Sequence, residues 1–151
     1  MSKHECVGEI FGRIDEFDSS LNMVTYVVGE SPSLSAAEKL SVLSVIEYIK
    51  KVNRALGSDI YKSKFVSIKE EDFDHMRSLT ETFGLDLSDE FVDFYSLPSI
   101  YINECRVRAR AVERSFLKHV KIRKLDIDEK LLDFINEINR LLFLIACDLN
   151  K

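Results

Sequence analysis

An all-α antiparallel bundle of four to five helices is what this sequence predicts, on three observations. Apolar residues recur at helical spacing along most of the chain rather than alternating as in strands. Only five glycines and two prolines interrupt the 151 residues, and there is no tryptophan. Long stretches carry no cluster of turn-forming residues at all. An apolar content of 46% supports one well-buried core and not two, so residues 1–151 are read as a single helical-bundle domain.

The first helix is predicted from about Cys6 to Val28, where Val7, Ile10, Ile14, Phe17, Leu21, Val24 and Val28 form one stripe, with Phe11, Asp15, Asp18 and Asn22 on its flank. Pro32 and Ser33 break the chain. Ser35 with Glu38 has the spacing of a capping box, which starts a second helix ending at about Leu56, where Gly57 is expected to stop it. Beyond the uncertain stretch from Ser58 to Val66, Ser67 with Glu70 offers a second such box. Phe73, Met76, Leu79 and Phe83 then make a short helix closed by Gly84, and the acidic LDLSDEFVDFYSLPS segment follows as a loop with about one helical turn.

A fourth helix is predicted from near Ser99 to Arg123. It carries Ile102, Cys105, Ala109, Val112, Phe116 and Val120 as its apolar stripe. Arg106, Arg110 and Glu113 share a narrow strip on the shoulder of that stripe. Guanidinium groups there are half desolvated, which suits bidentate capture of carboxylate or phosphate, or ion pairs across a subunit boundary; a solvated face with incidental Arg–Glu pairs is the plainer alternative. The last helix covers about Asp126 to Leu149. Its core stripe is Leu131, Phe134, Ile138, Leu141, Leu142 and Ile145, and Asn136, Asn139, Phe143 and Cys147 lie roughly opposite with Arg140 beside them. Apolar residues on both sides of one helix imply two packing contacts, and a second subunit is the simplest cover for the second.

The formal charge is −5, yet residues 101–125 hold eight Lys or Arg against Glu104 and Glu113. Positive charge focused on one helix predicts an anionic ligand or acidic neighbour. It argues against nucleic-acid coating, which needs a broad basic surface and interleaved aromatics. No run approaches the roughly 18 to 20 apolar residues of a membrane span, and MSKHECVGEI lacks the pattern of a signal peptide. Cys6, Cys105 and Cys147 are odd in number and far apart, each inside an apolar helical pattern, so they read as reduced packing residues of a cytoplasmic protein. His4, His75 and His119 have no partner at metal-ligand spacing, and no metal site is assigned.

Three segments together resemble the PduO-type ATP:corrinoid adenosyltransferases. Gly12-Arg13-Ile14-Asp15-Glu16-Phe17-Asp18-Ser19 is similar to the family's G-T-V/I-D-E-L-N-S. Cys105-Arg106-Val107-Arg108-Ala109-Arg110-Ala111-Val112-Glu113-Arg114 keeps the Arg, Arg, Glu and Arg of A-R-x-x-x-R-R-A-E-R in register. Phe134-Ile135-Asn136-Glu137-Ile138-Asn139-Arg140-Leu141-Leu142-Phe143-Leu144-Ile145-Ala146-Cys147 resembles Y/F-L-N-R-L-S-D-L-L-F-x-L-A-R. Order and separation match over nearly the whole chain.

The resemblance implies a homotrimer of helical bundles that binds ATP and a corrinoid at subunit boundaries, with Mg²⁺ accompanying ATP and cobalamin as substrate. It implies that Arg110, Glu113 and Asn136 face the nucleotide, that Arg106 pairs with Asp15 of a neighbour, and that Tyr95 occupies the corrinoid-side aromatic position of F-I-L-P-G-G. The chain departs from the family's pattern in four places. The N-terminal Gly-rich T-G-D-x-G-x-T segment has no counterpart, the F-I-L-P-G-G loop is replaced by Tyr95-Ser96-Leu97-Pro98-Ser99, Glu137 and Arg140 reverse two motif charges, and Ala111 replaces an arginine. An alternative therefore stays open: a non-catalytic relative that binds corrinoid or nucleotide as sensor, carrier or structural bundle.

Overall fold

The computed structural model describes residues 2–84 and 92–151. Five helices follow one another: α1 (Lys3–Gly29), α2 (Ala36–Lys62), α3 (Glu70–Phe83), α4 (Leu97–Arg123) and α5 (Glu129–Asp148). The described residues hold no strand. Helix direction can be read from the pairings. Cys6 at the start of α1 lies by His119 near the end of α4, and Glu16, further along α1, meets Arg108, further back along α4, so α1 and α4 are antiparallel. Ser99 of α4 bonds to Ala146 and Glu113 to Asn139, which sets α5 antiparallel to α4. Asn53 of α2 donates to the Ile14 carbonyl, whereas Phe73 stacks on Phe134 and Thr80 reaches Glu137, so α3 runs parallel to α5. The chain thus runs up, down, up, down and up. The most extensive packing is α1 on α4, followed by α4 on α5.

The predicted stripes form the core, with adjustments at their ends. In α1 the buried row is Cys6, Ile10, Ile14, Phe17, Leu21, Val24 and Val28. Cys6 fills the place expected for Val7, which is half-buried. Ser2 and Glu5 close a capping box that starts the helix three residues earlier than predicted. Ser35 and Glu38 form the predicted box of α2.

The expected stop at Gly57 is wrong. The helix runs on to Lys62, because Gly57 faces α1, where a Cβ would sit 3.7 Å from the Ile14 side chain, and Leu56 and Ile60 keep the apolar row buried past it. Packing outweighs the roughly 1 kcal/mol helix cost of one glycine. Termination comes at Ser63, whose φ of 54° is left-handed.

The Ser67–Glu70 capping box does not form either. Buried Asp59 takes Ser67 instead, accepting from its hydroxyl at 2.6 Å and its amide at 3.0 Å. α3 starts with Asp72 accepting from the Lys69 amide at 2.9 Å. α4 begins two residues before the predicted Ser99, with Ser96 accepting from the Ser99 amide and Pro98 in the first turn, where its missing N–H costs nothing. α5 starts at Glu129 rather than Asp126 because Asp128 caps it. Of the predicted acidic loop, Leu85–Phe91 lie outside the described residues and 92–95 are irregular.

Cys6 and His119 are each 1% exposed, and Sγ lies 3.8 Å from Nδ1. The His119 Nε2 has no partner among the described residues. Burial, helped by the Arg123 cation, holds the imidazole below its ordinary value of 6.5. In the window below 6.5 the unfolded chain binds the proton more readily than the folded one, so this stability is present above 6.5 and lost as pH falls. The thermal midpoint is expected to drop less between pH 7.5 and 5.5 for His119→Gln than for the wild type. Equal drops in the two proteins would refute this account.

Candidate functional site

α4 and α5 present one line of polar and aromatic side chains along their shared outer face. Because the helices are antiparallel, Arg106 of α4 stands by Phe143 and Cys147 of α5, and Glu113 stands by Asn139. Arg110 lies one turn from each of Arg106 and Glu113.

At the upper end the Arg106 guanidinium sits over the Phe143 ring, 5.7 Å from its centroid, and donates to Asn103 Oδ1 at 2.8 Å. Arg106 is half-buried and has no carboxylate partner among the described residues. Burial and the neighbouring Arg110 cation both pull its pKa down. A half-desolvated cation in that setting favours an anion from outside the chain. Asp15, the expected partner, is exposed on α1 and makes no ion pair among the described residues, whereas Asp18 accepts from Arg54 at 3.2 Å. Phe94 packs edge-on against Phe143, with centroids 6.1 Å apart. Part of the second apolar face of α5, expected to need another subunit, is thus covered from within.

Lower down, Glu113 and Asn136 line one cleft of about 250 Å³ with Phe116, Leu117, Leu132, Asp133 and Ile135. Burial pushes the Glu113 carboxyl up, opposed by the pull of Arg110 and Arg114. The Asn139 amide donates to Glu113 Oε2 at 3.4 Å, and its Oδ1 is buried without a partner. Arg110 is exposed and forms no ion pair among the described residues, which leaves its guanidinium available. Arg108 turns the other way, to Glu16 of α1 at 3.2 Å and Glu104 at 3.1 Å.

Of the residues singled out from sequence, Arg106, Arg110, Glu113 and Asn136 therefore fall on one face. Tyr95 stands beyond its upper end, 69% exposed, with its hydroxyl donating to the Asn150 carbonyl at 3.1 Å. Phe94 and Asn139 belong to the same surface. Phe94 was missed because an irregular segment has no period to say which of two adjacent aromatics packs. Asn139 was placed on this face, but its pairing with Glu113 was not foreseen.

The described residues also contain a larger groove of about 510 Å³ between α3 and α5, floored by Phe73, Met76 and Phe134 and rimmed by charges of both signs, including Glu137 and Arg140. Glu137 and Arg140 sit 3.9 Å apart, so their opposite charges offset one another locally. No helix among the described residues is long and apolar enough to cross a membrane.

The sequence model of the cobalamin adenosyltransferase family matches residues 1–149. Similar solved structures include a single-substitution variant of the PduO-type ATP:corrinoid adenosyltransferase from Lactobacillus reuteri complexed with ATP. The TM-score is 0.76 at 15% identity, over 99% of this chain and 84% of that one. Another variant of that Lactobacillus reuteri enzyme, complexed with cobalamin and ATP, aligns with a TM-score of 0.74 at 16% identity, over 97% of this chain and 78% of that one. No curated protein matches the sequence significantly.

Proposed function

The chain belongs to the cobalamin adenosyltransferase family, and from that membership we propose that it transfers the 5′-deoxyadenosyl group of ATP to a cobalt(I) corrinoid at a boundary between subunits. The observation that carries the reading is the line from Arg106 through Arg110 to the Glu113–Asn136 cleft, in the order the family motifs require.

The electron pair of cobalt(I) forms the bond to C5′ of ATP, the C5′–O bond breaks, and triphosphate leaves with that bond's electrons. The cobalt ends formally as cobalt(III). The demands on the protein are alignment and stabilisation of a leaving polyanion. Arg110, exposed and unpaired among the described residues, binds phosphate. Glu113, held by Asn139, lies one turn from Arg110 and lends its negative charge to that end of the strip, and Asn136 faces the nucleotide from α5. Phe94 and Tyr95 flank the corrinoid end, with Tyr95 offering the exposed ring. Among the described residues no group of three or more His, Cys, Asp or Glu could hold a metal, so an Mg²⁺ would enter with ATP, ligated mainly by the triphosphate oxygens and water.

The reading includes a homotrimer in which Asp15 of one subunit meets Arg106 of the next. That contact gives the half-buried guanidinium the carboxylate it lacks among the described residues.

Anaerobic mixing of the purified protein with ATP and chemically reduced cobalamin tests the proposal. Adenosylcobalamin, followed by its absorption spectrum and its photolysis, and stoichiometric triphosphate are expected. ATP binding with no adenosylcobalamin under these conditions would refute the transfer.

A further inference from the structure

Asn150 follows α5 and holds the irregular segment that leads into α4. Its Oδ1 accepts from the Tyr95 amide at 3.0 Å and the Ser96 amide at 3.3 Å, and its Nδ2 donates to the Asp93 carbonyl at 3.0 Å. Two further bonds join the same strands of chain. The Tyr95 hydroxyl donates to the Asn150 carbonyl at 3.1 Å, and the Ser96 hydroxyl to the Leu149 carbonyl at 2.9 Å. A primary amide offers donor and acceptor on one planar group, which is what this three-way match to the backbone uses. Lys151 does something else: it pairs with Glu38 at the start of α2.

Phe94 lies between Asp93 and Tyr95, two of the three residues that Asn150 grips. Its ring meets Phe143, and the Arg106 guanidinium lies over that same Phe143 ring. Segment 93–96 has no helical or sheet bonds of its own to fix it until Ser96 caps α4. Its placement therefore depends on its bonds to the end of α5, of which the Asn150 amide makes three and the Leu149 and Asn150 carbonyls two.

We propose that Asn150 is a positioning residue that clasps segment 93–96 and so sets where Phe94 and Tyr95 stand against the corrinoid. This rests on the reading that these two aromatics face the corrinoid. The clasp acts on one substrate only, because the Glu113–Asn136 cleft is built from helical residues that Asn150 does not touch.

Hydrogen exchange and steady-state kinetics on Asn150→Ala and Asn150→Asp, with Lys151→Ala as control, test the inference. Asn150→Ala is expected to speed exchange at the Tyr95 and Ser96 amides and to raise the corrinoid KM about tenfold, the order expected from losing such a clasp, with the ATP KM within about twofold. Asn150→Asp keeps the acceptor and loses the donor, so it should fall between Asn150→Ala and wild type in both readouts. Lys151→Ala should leave exchange at 95–96 unchanged. Unchanged exchange in Asn150→Ala, faster exchange with an unaltered corrinoid KM, or an equal rise in both KM values would each overturn the inference. A wild-type protein that binds no corrinoid overturns the functional reading beneath it, a different result from a wild type that binds and a variant that binds equally well.

Discussion

Asp15→Ala is expected to dissociate the proposed trimer at micromolar concentration, whereas Asp18→Ala leaves it assembled. Both residues lie on α1, one turn apart, and both substitutions remove one carboxylate. They differ in what the carboxylate meets. Asp18 already has Arg54 at 3.2 Å in an exposed pair, whose loss costs about 0 to 1 kcal/mol. Among the described residues Asp15 has no cationic partner and Arg106 no acid. If the two meet across a subunit boundary that covers the half-buried Arg106, removing one side strands that cation, which costs about 3 to 5 kcal/mol per contact. Each subunit of a ring loses the same contact, so the effect is felt three times. Sedimentation or light scattering on the two variants decides it, and equal behaviour would show the pairing to be wrong.

Arg110→Ala should weaken ATP about ten- to a hundredfold, because a charge-assisted bond to phosphate is worth roughly 1.5 to 3 kcal/mol. Arg108→Ala is the control. It lies about 160° around the helix from Arg110 and is engaged by Glu16 and Glu104, so its loss should leave ATP affinity nearly unchanged. Calorimetry on the two variants distinguishes a site from a diffuse field. Equal losses would point to the summed charge of α4 rather than to Arg110.

What could be read from the sequence is what a helix's period projects. Ile10, Ile14, Phe17 and Leu21 recur at helical spacing and are all buried, and the same holds for Leu131, Phe134 and Ile138. The period also places Arg106, Arg110 and Glu113 on one strip and sends Arg108 elsewhere, so the α4 half of the candidate site was legible. Boundaries set by tertiary partners were not. Gly57 reads locally as a stop, yet it is where α2 comes close to Ile14. Ser67 reads as a cap, yet buried Asp59, far better desolvated, takes its hydroxyl. The Asn150 clasp and the packing of Phe94 lie outside any helix, where no spacing rule links residues so distant in sequence.

The pairing of α1 with α4 also sets a timetable for the chain as it is made. α1 finds its most extensive packing surface not in the helix that follows it but in one that begins only at Leu97. At roughly 5 to 20 residues per second, a ribosome leaves that apolar row without its main partner for several seconds after α1 emerges. Of the helices made before α4, α2 is the one that packs extensively on α1, through contacts such as Asn53 on the Ile14 carbonyl. The close approach of α2 to Ile14 at Gly57 is thus a contact open to the chain before α4 is made.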